Sequence, residues 1–357
     1  MRWKKILSIA IVISLLIILL LLVYLIVTNY QLKLTNIFDK EGANKADDPI
    51  KIGFSLGTLK EERWIKDRDI LMAKVKELGA EIIVLNANND DQDQLKQVKY
   101  LLEQDIDVLI IVPNDLKKAA DAVELAKNQG VKVISYDRLV LNSDVDVYLS
   151  FDNVQVGELM AKHVLTKIVE GNILIVNGPE SDHNTIMIKE GYDKILNPLI
   201  RNGNINVVNE EWAPNWLKEY AFEVVDNYLQ EGQIDAVIAG NDGLADGVIQ
   251  ALSEYRLAGQ TIVVGQDADL AASQRIVEGT QDMTVYKPIE KLADAAAKMA
   301  IKLAIGENLE IADTIYDGKY YVPYYALEPI AVTKENIDST IIKDGFHLRN
   351  AIYRNIE

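Results

Sequence analysis

EIIVLNANNDDQDQLKQVKYLLEQDIDVLIIVPNDLKKAADAVELAKNQGVKVISYDR, residues 81–138, alternates three short β-branched runs with two longer amphipathic ones. The short runs EIIVLNA, DVLIIVP and VKVISYD are almost continuously apolar, which suits strands covered on both faces, as in a parallel sheet between helices. Asp93–Gln104 and Leu116–Lys127 have helical periodicity, and Gly130 falls where the second helix must end. The same alternation extends both ways from this stretch. KIGFSL precedes it, and VDVYLSFD, NILIVNG, INVVNEEW, DAVIAGND, TIVVGQD and DMTVYK follow. Further helices are predicted over Trp64–Leu78, Val154–Val169 and Ile289–Ile305, with Gly79 and Gly171 at helix ends. About ten such alternations exceed what one sheet normally holds, so the fold class is α/β with two Rossmann-like, doubly wound lobes.

Ahead of this body lies ILSIAIVISLLIILLLLVYLIV, residues 6–27. As a helix it would span roughly 30 Å, the thickness of a bilayer's hydrocarbon core. Arg2, Lys4 and Lys5 before it predict a cytoplasmic N-terminus and extracellular lobes, hence a single-pass protein of the cell membrane. A cleaved signal peptide has a shorter apolar run and a small-x-small site, and neither is present here. The chain has no cysteine, so a lipoprotein anchored at cysteine, disulfides, iron–sulfur clusters, thiolate zinc sites and thiol catalysis are excluded. The expected organisation is a cytoplasmic stub (1–5), an anchor (6–27) and a linker (28–48), then the lobes.

The net charge is −17, and setting aside Arg2, Lys4 and Lys5 leaves −20 outside the membrane. Such a body is repelled by phosphate backbones, so nucleic acid is not a partner. His163, His183 and His347 are scattered without ligand spacing, so no metal or other cofactor is expected. The run NANNDDQDQ lacks the central glycine and closing glutamate of a calcium loop and reads as helix capping. GFSLG at 53–57 matches G-x-S-x-G, but a polar stretch follows where a nucleophile elbow needs an immediate helix. No P-loop or G-x-G-x-x-G occurs, and a helix-turn-helix would have to stand where the anchor does.

In open α/β sheets ligands bind beyond the carboxyl ends of the strands. Those ends are polar here: Asp137 and Arg138, then Asp152 and Asn153, Asn241 and Asp242, Asp267 and Asp269, and Lys287. Trp64 and Trp216 open the stretches that follow two of the strands. For any single residue, helix capping is the competing explanation. Together they make the chemistry of a polyol cleft, in which rings stack on C–H faces and charged planar groups bridge hydroxyls. Asp137 and Asp267 could form a glycosidase pair, but Arg138 and Lys287 beside them would hold the pKa values down, whereas a general acid needs one raised. No catalytic residue is assigned.

ERWIKDRD (62–69), SYDR (135–138), SFDNVQVGEL (150–159), GNDG (240–243), GQDADL (265–270), MTVYKPI (283–289) and IIKDGFH (341–347) resemble, in order, the motifs of bacterial D-xylose-binding proteins. The resemblance spans residues 50–347. It implies the type I periplasmic-binding-protein fold, with lobes joined by a three-segment hinge and formed by residues 49–152 with 285–318 and 153–284 with 319–347, then a tail (348–357). It implies that Trp64 and Trp216 sandwich a D-xylose ring. Arg63, Asp137, Arg138, Asn184, Asn241, Asp267 and Lys287 would bond its hydroxyls, with Lys66 at the rim. His183 stands where the family usually has asparagine and is left out of this set. The anchor resembles that of clostridial membrane-bound xylose sensors, which implies a LytS-type sensor histidine kinase as partner. Delivery to an ABC permease, a different sugar, or an anchored glycoside-processing enzyme are the alternatives. Five tyrosines in ADTIYDGKYYVPYY (312–325) suit either a partner surface or a packed final strand.

Overall fold

The computed structural model describes residues 49–356, so the expected stub, anchor and linker lie outside the described residues. Among the described residues, no helix is long and apolar enough to cross a membrane. One sheet contains β1 (Lys51–Leu56), β2 (Glu81–Asn86), β3 (Val108–Val112), β4 (Lys132–Tyr136), β5 (Val147–Phe151), β11 (Thr314–Tyr316) and β12 (Tyr321–Leu327), in the order β11-β12-β5-β4-β3-β1-β2. The other contains β6 (Gly171–Asn177), β7 (Ile205–Trp212), β8 (Ala236–Ala239), β9 (Ile262–Gln266), β10 (Met283–Tyr286) and β13 (Ile330–Val332), in the order β13-β10-β9-β8-β6-β7. Each lobe therefore repeats one parallel 2-1-3-4-5 core. The exceptions are β11 against β12 and β13 against β10, both antiparallel.

Continuous apolar strands are explained by burial on two faces. In β3, Val108, Ile110 and Val112 pack toward helices α1 (Glu62–Glu77) and α9 (Ile289–Ala304), while Leu109 and Ile111 join α2 (Asp91–Glu103) and α3 (Ala120–Asn128). In β8, Ala236 and Ile238 face α4 (Asn153–Lys167) and α5 (His183–Arg201), while Val237 and Ala239 face α6 (Lys218–Leu229) and α7 (Asp242–Glu254). A polar residue at any of these positions would be buried without water. Ser55, the serine of GFSLG, sits inside β1, fully buried. It is not at a turn. Asp90 accepts a hydrogen bond from the Asp93 amide, so the NANNDDQDQ run is a helix cap as expected. Gly79 and Gly130 have positive φ at helix ends, whereas Gly171 opens β6 against the Asp235 carboxylate.

Three corrections to the expected boundaries follow. The chain crosses between sheets after Phe151, after Tyr286 and after Leu327. Residues 321–327, expected in the second lobe, pair with β5 in the first sheet, with Tyr324 opposite Tyr148 and Leu327 opposite Phe151. The tyrosines there divide: Tyr324 stacks on Tyr148 at 5.0 Å, while Tyr316 and Tyr321 stay exposed. Residues 285 and 286, expected in the first lobe, complete β10 in the second sheet. The expected tail is partly core, since α10 (Arg349–Ile352) buries Ile352 against Ala268, Val277 and Ile341.

Helices α4 and α5 meet backbone to backbone at two glycines. A Cβ on Gly157 would lie 1.9 Å from the Ile188 carbonyl oxygen, and one on Gly191 would lie 1.9 Å from that of Val154. Either alanine substitution forces the helices apart and is predicted to cost about 2 kcal/mol or more, in the range of overpacked cores. Urea denaturation reads this directly, and unchanged midpoints in both variants would contradict it.

Candidate functional site

The carboxyl ends of both sheets face one shared cavity between the lobes. Its lining includes Arg63, Trp64, Asp137, Arg138, Asn184, Trp216, Asn241, Asp267 and Lys287, nine of the ten residues expected from sequence. The tenth does not reach it. Lys66 lies a turn further along α1, where its ammonium meets Glu62 at 3.0 Å, His347 Nδ1 at 3.3 Å and the Phe346 carbonyl at 3.4 Å. It stands over the Phe346 ring at 3.9 Å and lines a separate groove with Tyr286 and Pro288. Glu61, Asp182 and Gln266 complete the cavity wall and were missed. Glu61 precedes ERWIKDRD, Asp182 precedes His183 and Asn184, and Gln266 lies within GQDADL, which was the available signal. His183 opens α5 and does not line the cavity.

Arg63 projects from the first turn of α1, its side chain only 4 % exposed. Its guanidinium meets Asp67 Oδ2 through Nε at 3.2 Å, Asp137 Oδ2 through one terminal nitrogen at 2.7 Å and Asp267 Oδ1 through the other at 3.5 Å. Asp137 belongs to the first lobe and Asp267 to the second, so this one cation bridges them. A guanidinium has five N–H donors. These three bonds leave two terminal N–H groups for a ligand.

Asp137 and Asp267 occupy equivalent places, after the fourth strand of each lobe. Both have positive φ, 62° and 96°, a backbone strain that recurs at functional sites. Their amides donate to the next strand, Asp137 to the Leu149 carbonyl and Asp267 to that of Val285. The Asp137 carbonyl accepts from the hydroxyls of Tyr148 and Ser150 and from Asn184 Nδ2. This over-determined hook also aims Arg138 across the cavity, where Nε meets Asp182 Oδ2 at 2.7 Å. Burial alone would raise the Asp137 carboxyl, but Arg63, Lys287 and Arg138 outweigh it and hold the pKa below the ordinary value. Asp267 shares its Oδ1 with Lys287 at 3.1 Å. The Asp137 carboxylate, held ionised by its cationic neighbours, is an acceptor for hydroxyl protons and is unsuited to be a general acid.

The two indoles come from opposite lobes. Trp64 is buried, with the Arg63 guanidinium 4.4 Å from its ring centroid. Trp216 ends the short turn Pro214–Trp216 in a left-handed conformation, φ 54°. Its ring lies where a Gly178 side chain would be, 2.2 Å from that ideal Cβ, and the Cβ of Gly240 would be 3.1 Å away. Larger residues at these two positions would evict the ring. Trp216 Nε1, Gln266 Oε1 and Glu61 Oε2 are buried without a protein partner. Asn241 is both cap and lining: its Oδ1 accepts from the Leu244 amide at 2.8 Å. Asp152 only caps, accepting from the Gln155 amide. Rings from both lobes, carboxylate acceptors and spare N–H donors make a container for a small, hydroxyl-rich molecule.

Behind the cavity, Asp242 accepts from Gln281, Thr284 and the Asp269 amide. Burial pushes its carboxyl up to about 7, against the lowering by Arg275 and by those side-chain bonds. Burial and the charges of Asp242, Asp267 and Glu62 push Asp269 up as well.

A family model described as "periplasmic binding protein domain" matches residues 52–308. The D-xylose-binding periplasmic protein of Haemophilus influenzae is 46% identical over 306 residues, covering 85% of this chain and 92% of that protein. Its namesake in Escherichia coli is 43% identical over 84% of this chain and 91% of that protein. Among solved structures, a carbohydrate transporter solute-binding protein of Chloroflexus aurantiacus in complex with D-glucose superimposes with a TM-score of 0.80 at 29% identity, covering 84% of this chain and 97% of that one. An ABC transporter solute-binding protein of Clostridium phytofermentans with bound β-D-glucose gives 0.78 at 27% identity, covering 85% and 99%.

The raised carboxyl of Asp242 has a sign that can be checked. Unfolded, an aspartate ionises near pH 4, whereas the folded one holds its proton to about 7. Between these values the folded state binds more protons, so stability falls as pH rises. The Asp242→Asn variant is predicted to lose less thermal stability than wild type between pH 5 and pH 8, by differential scanning calorimetry. Equal losses would contradict the assignment.

Proposed function

Starting from a chain that belongs to the periplasmic binding protein domain family, we propose a membrane-anchored extracytoplasmic receptor that closes on D-xylose and reports it to a LytS-type sensor histidine kinase. The observation that carries the sugar is the inter-lobe cavity, with an indole from each lobe and an arginine bridged to carboxylates of both. A pyranose between Trp64 and Trp216 offers its C–H faces to the rings and its equatorial hydroxyls to the rim. Arg63, Arg138, Asn241 and Lys287 donate, and Asp137 and Asp267 accept. Asn184, already bonded to Asp137 and Tyr148, holds the second lobe to the first beside the sugar. The D-xylose-binding relatives, at 46% and 43% identity, support this choice of sugar over glucose, which the solved structures named above hold.

Binding favours the closed form by its differential affinity for the two states. The anchor, residues 6–27, is read from sequence. Tethering receptor and kinase in one membrane raises their effective concentration, so a weak contact between them registers. A second reading, delivery to an ABC permease, is favoured by the solved relative described as an ABC transporter solute-binding protein.

Calorimetric titration of the full chain in detergent tests the sugar. Tight D-xylose binding is expected, with ribose, arabinose and glucose weaker. Trp64→Ala and Trp216→Ala are each predicted to weaken it at least tenfold, about 1.4 kcal/mol. Absence of binding to any of the four sugars would refute the receptor. Affinity capture from the native membrane, with and without D-xylose, then separates a kinase from a permease as partner.

A further inference from the structure

We propose that Asp67, with Tyr136 behind it, is the positioning residue of the sugar site: it fixes the Arg63 guanidinium so that the two unused N–H groups point at the ligand. This rests on the sugar-binding reading above and names a residue that does not line the cavity.

Asp67 lies one turn after Arg63 on α1 and is fully buried. Its Oδ2 takes the Arg63 Nε–H at 3.2 Å, and its Oδ1 takes the Tyr136 hydroxyl at 2.5 Å. Tyr136 is the last residue of β4 and is itself fully buried, edge-on to Phe54 at 5.8 Å. The next residue, Asp137, holds a terminal nitrogen of the same guanidinium at 2.7 Å. The contacts therefore close a ring running Arg63, Asp67, Tyr136, Asp137 and back to Arg63. An arginine held only at its terminal nitrogens can turn about its last torsion and trade partners. Anchoring Nε removes that freedom and fixes the plane of the fork. Pre-organisation of this kind raises affinity by lowering the ordering cost of binding.

The groups facing Asp67 are Arg63 on its own helix, Tyr136 from β4 and, beyond the guanidinium, Asp137. Burial raises its carboxyl to about 6, against the lowering by Arg63. Protonation below that pH weakens the hold on Nε, so sugar affinity is expected to fall as pH drops from 7.5 to 5. An asparagine at 67 resembles the protonated form and removes this titration.

The test is D-xylose titration calorimetry on the full chain in detergent, comparing wild type, Asp67→Asn and Tyr136→Phe at pH 5 to 7.5. Asp67→Asn is predicted to raise the Kd about tenfold at pH 7.5 and to flatten its pH dependence. Tyr136→Phe, which leaves the charge in place, is predicted to raise it about threefold and to report even if Asp67→Asn fails to fold. Variants that bind within twofold of wild type, with the wild-type pH curve, would overturn the proposal. So would a tenfold loss that keeps the wild-type pH curve, because a merely structural role would give that. Wild type that binds no sugar would instead defeat the receptor reading on which this one rests.

Discussion

A single buried cation organises the molecule around its cleft. Arg63 is withdrawn from water and meets three carboxylates, two from the first lobe and one from the second. A lone guanidinium so placed would be prohibitively desolvated, and three unpaired aspartates would be worse. Each group is tolerable only with the others in place. The strained hooks at Asp137 and Asp267, the first turn of α1 and the approach of the two sheets are consequently set together. Arg138 with Asp182 makes a second ion pair across the lobes.

The cavity's shape follows from backbone features as much as from side chains. Trp216 reaches its place through a left-handed turn and rests where Gly178 and Gly240 leave no side chain. Gly157 and Gly191 bring α4 and α5 together in the second lobe, which orients α5 so that Asp182 and Asn184 at its start face β4. Local strain at the strand ends is held by ordinary hydrogen bonds to the neighbouring strands. Outside the cavity, Glu62 accepts from the Leu270 amide and Lys66 meets His347, so the lobes also touch on the hinge side.

Much of this was legible in the sequence. Strands buried on both faces advertise themselves as unbroken β-branched runs, and the cavity-lining groups follow such strands directly, which is why Asp137, Asn241, Asp267 and Lys287 could be placed there. The failures have physical causes. Lys66 follows Arg63 by three residues, a rise of about 4.5 Å along the helix. That distance takes it past the cavity to the 346–347 segment, which is remote in sequence. Asp182 caps α5 through one oxygen while its other oxygen pairs with Arg138, a second role that no local pattern announces. Asp67 stands within ERWIKDRD with nothing in the motif to set it apart, and only the packing of β4 reveals it as buried. Residues 321–327 carry a strand pattern that fits either sheet, so periodicity could not place the last crossing.

On the reading proposed above, Arg63, held by carboxylates of both lobes, forms the pentose site between two tryptophans. A crystal structure with D-xylose tests it most directly. One pyranose ring is expected between Trp64 and Trp216, hydrogen-bonded to Arg63 while Asp67 still holds Nε. A sugar bound elsewhere, or an Arg63 swung away from Asp67 and Asp137 in the complex, would contradict it.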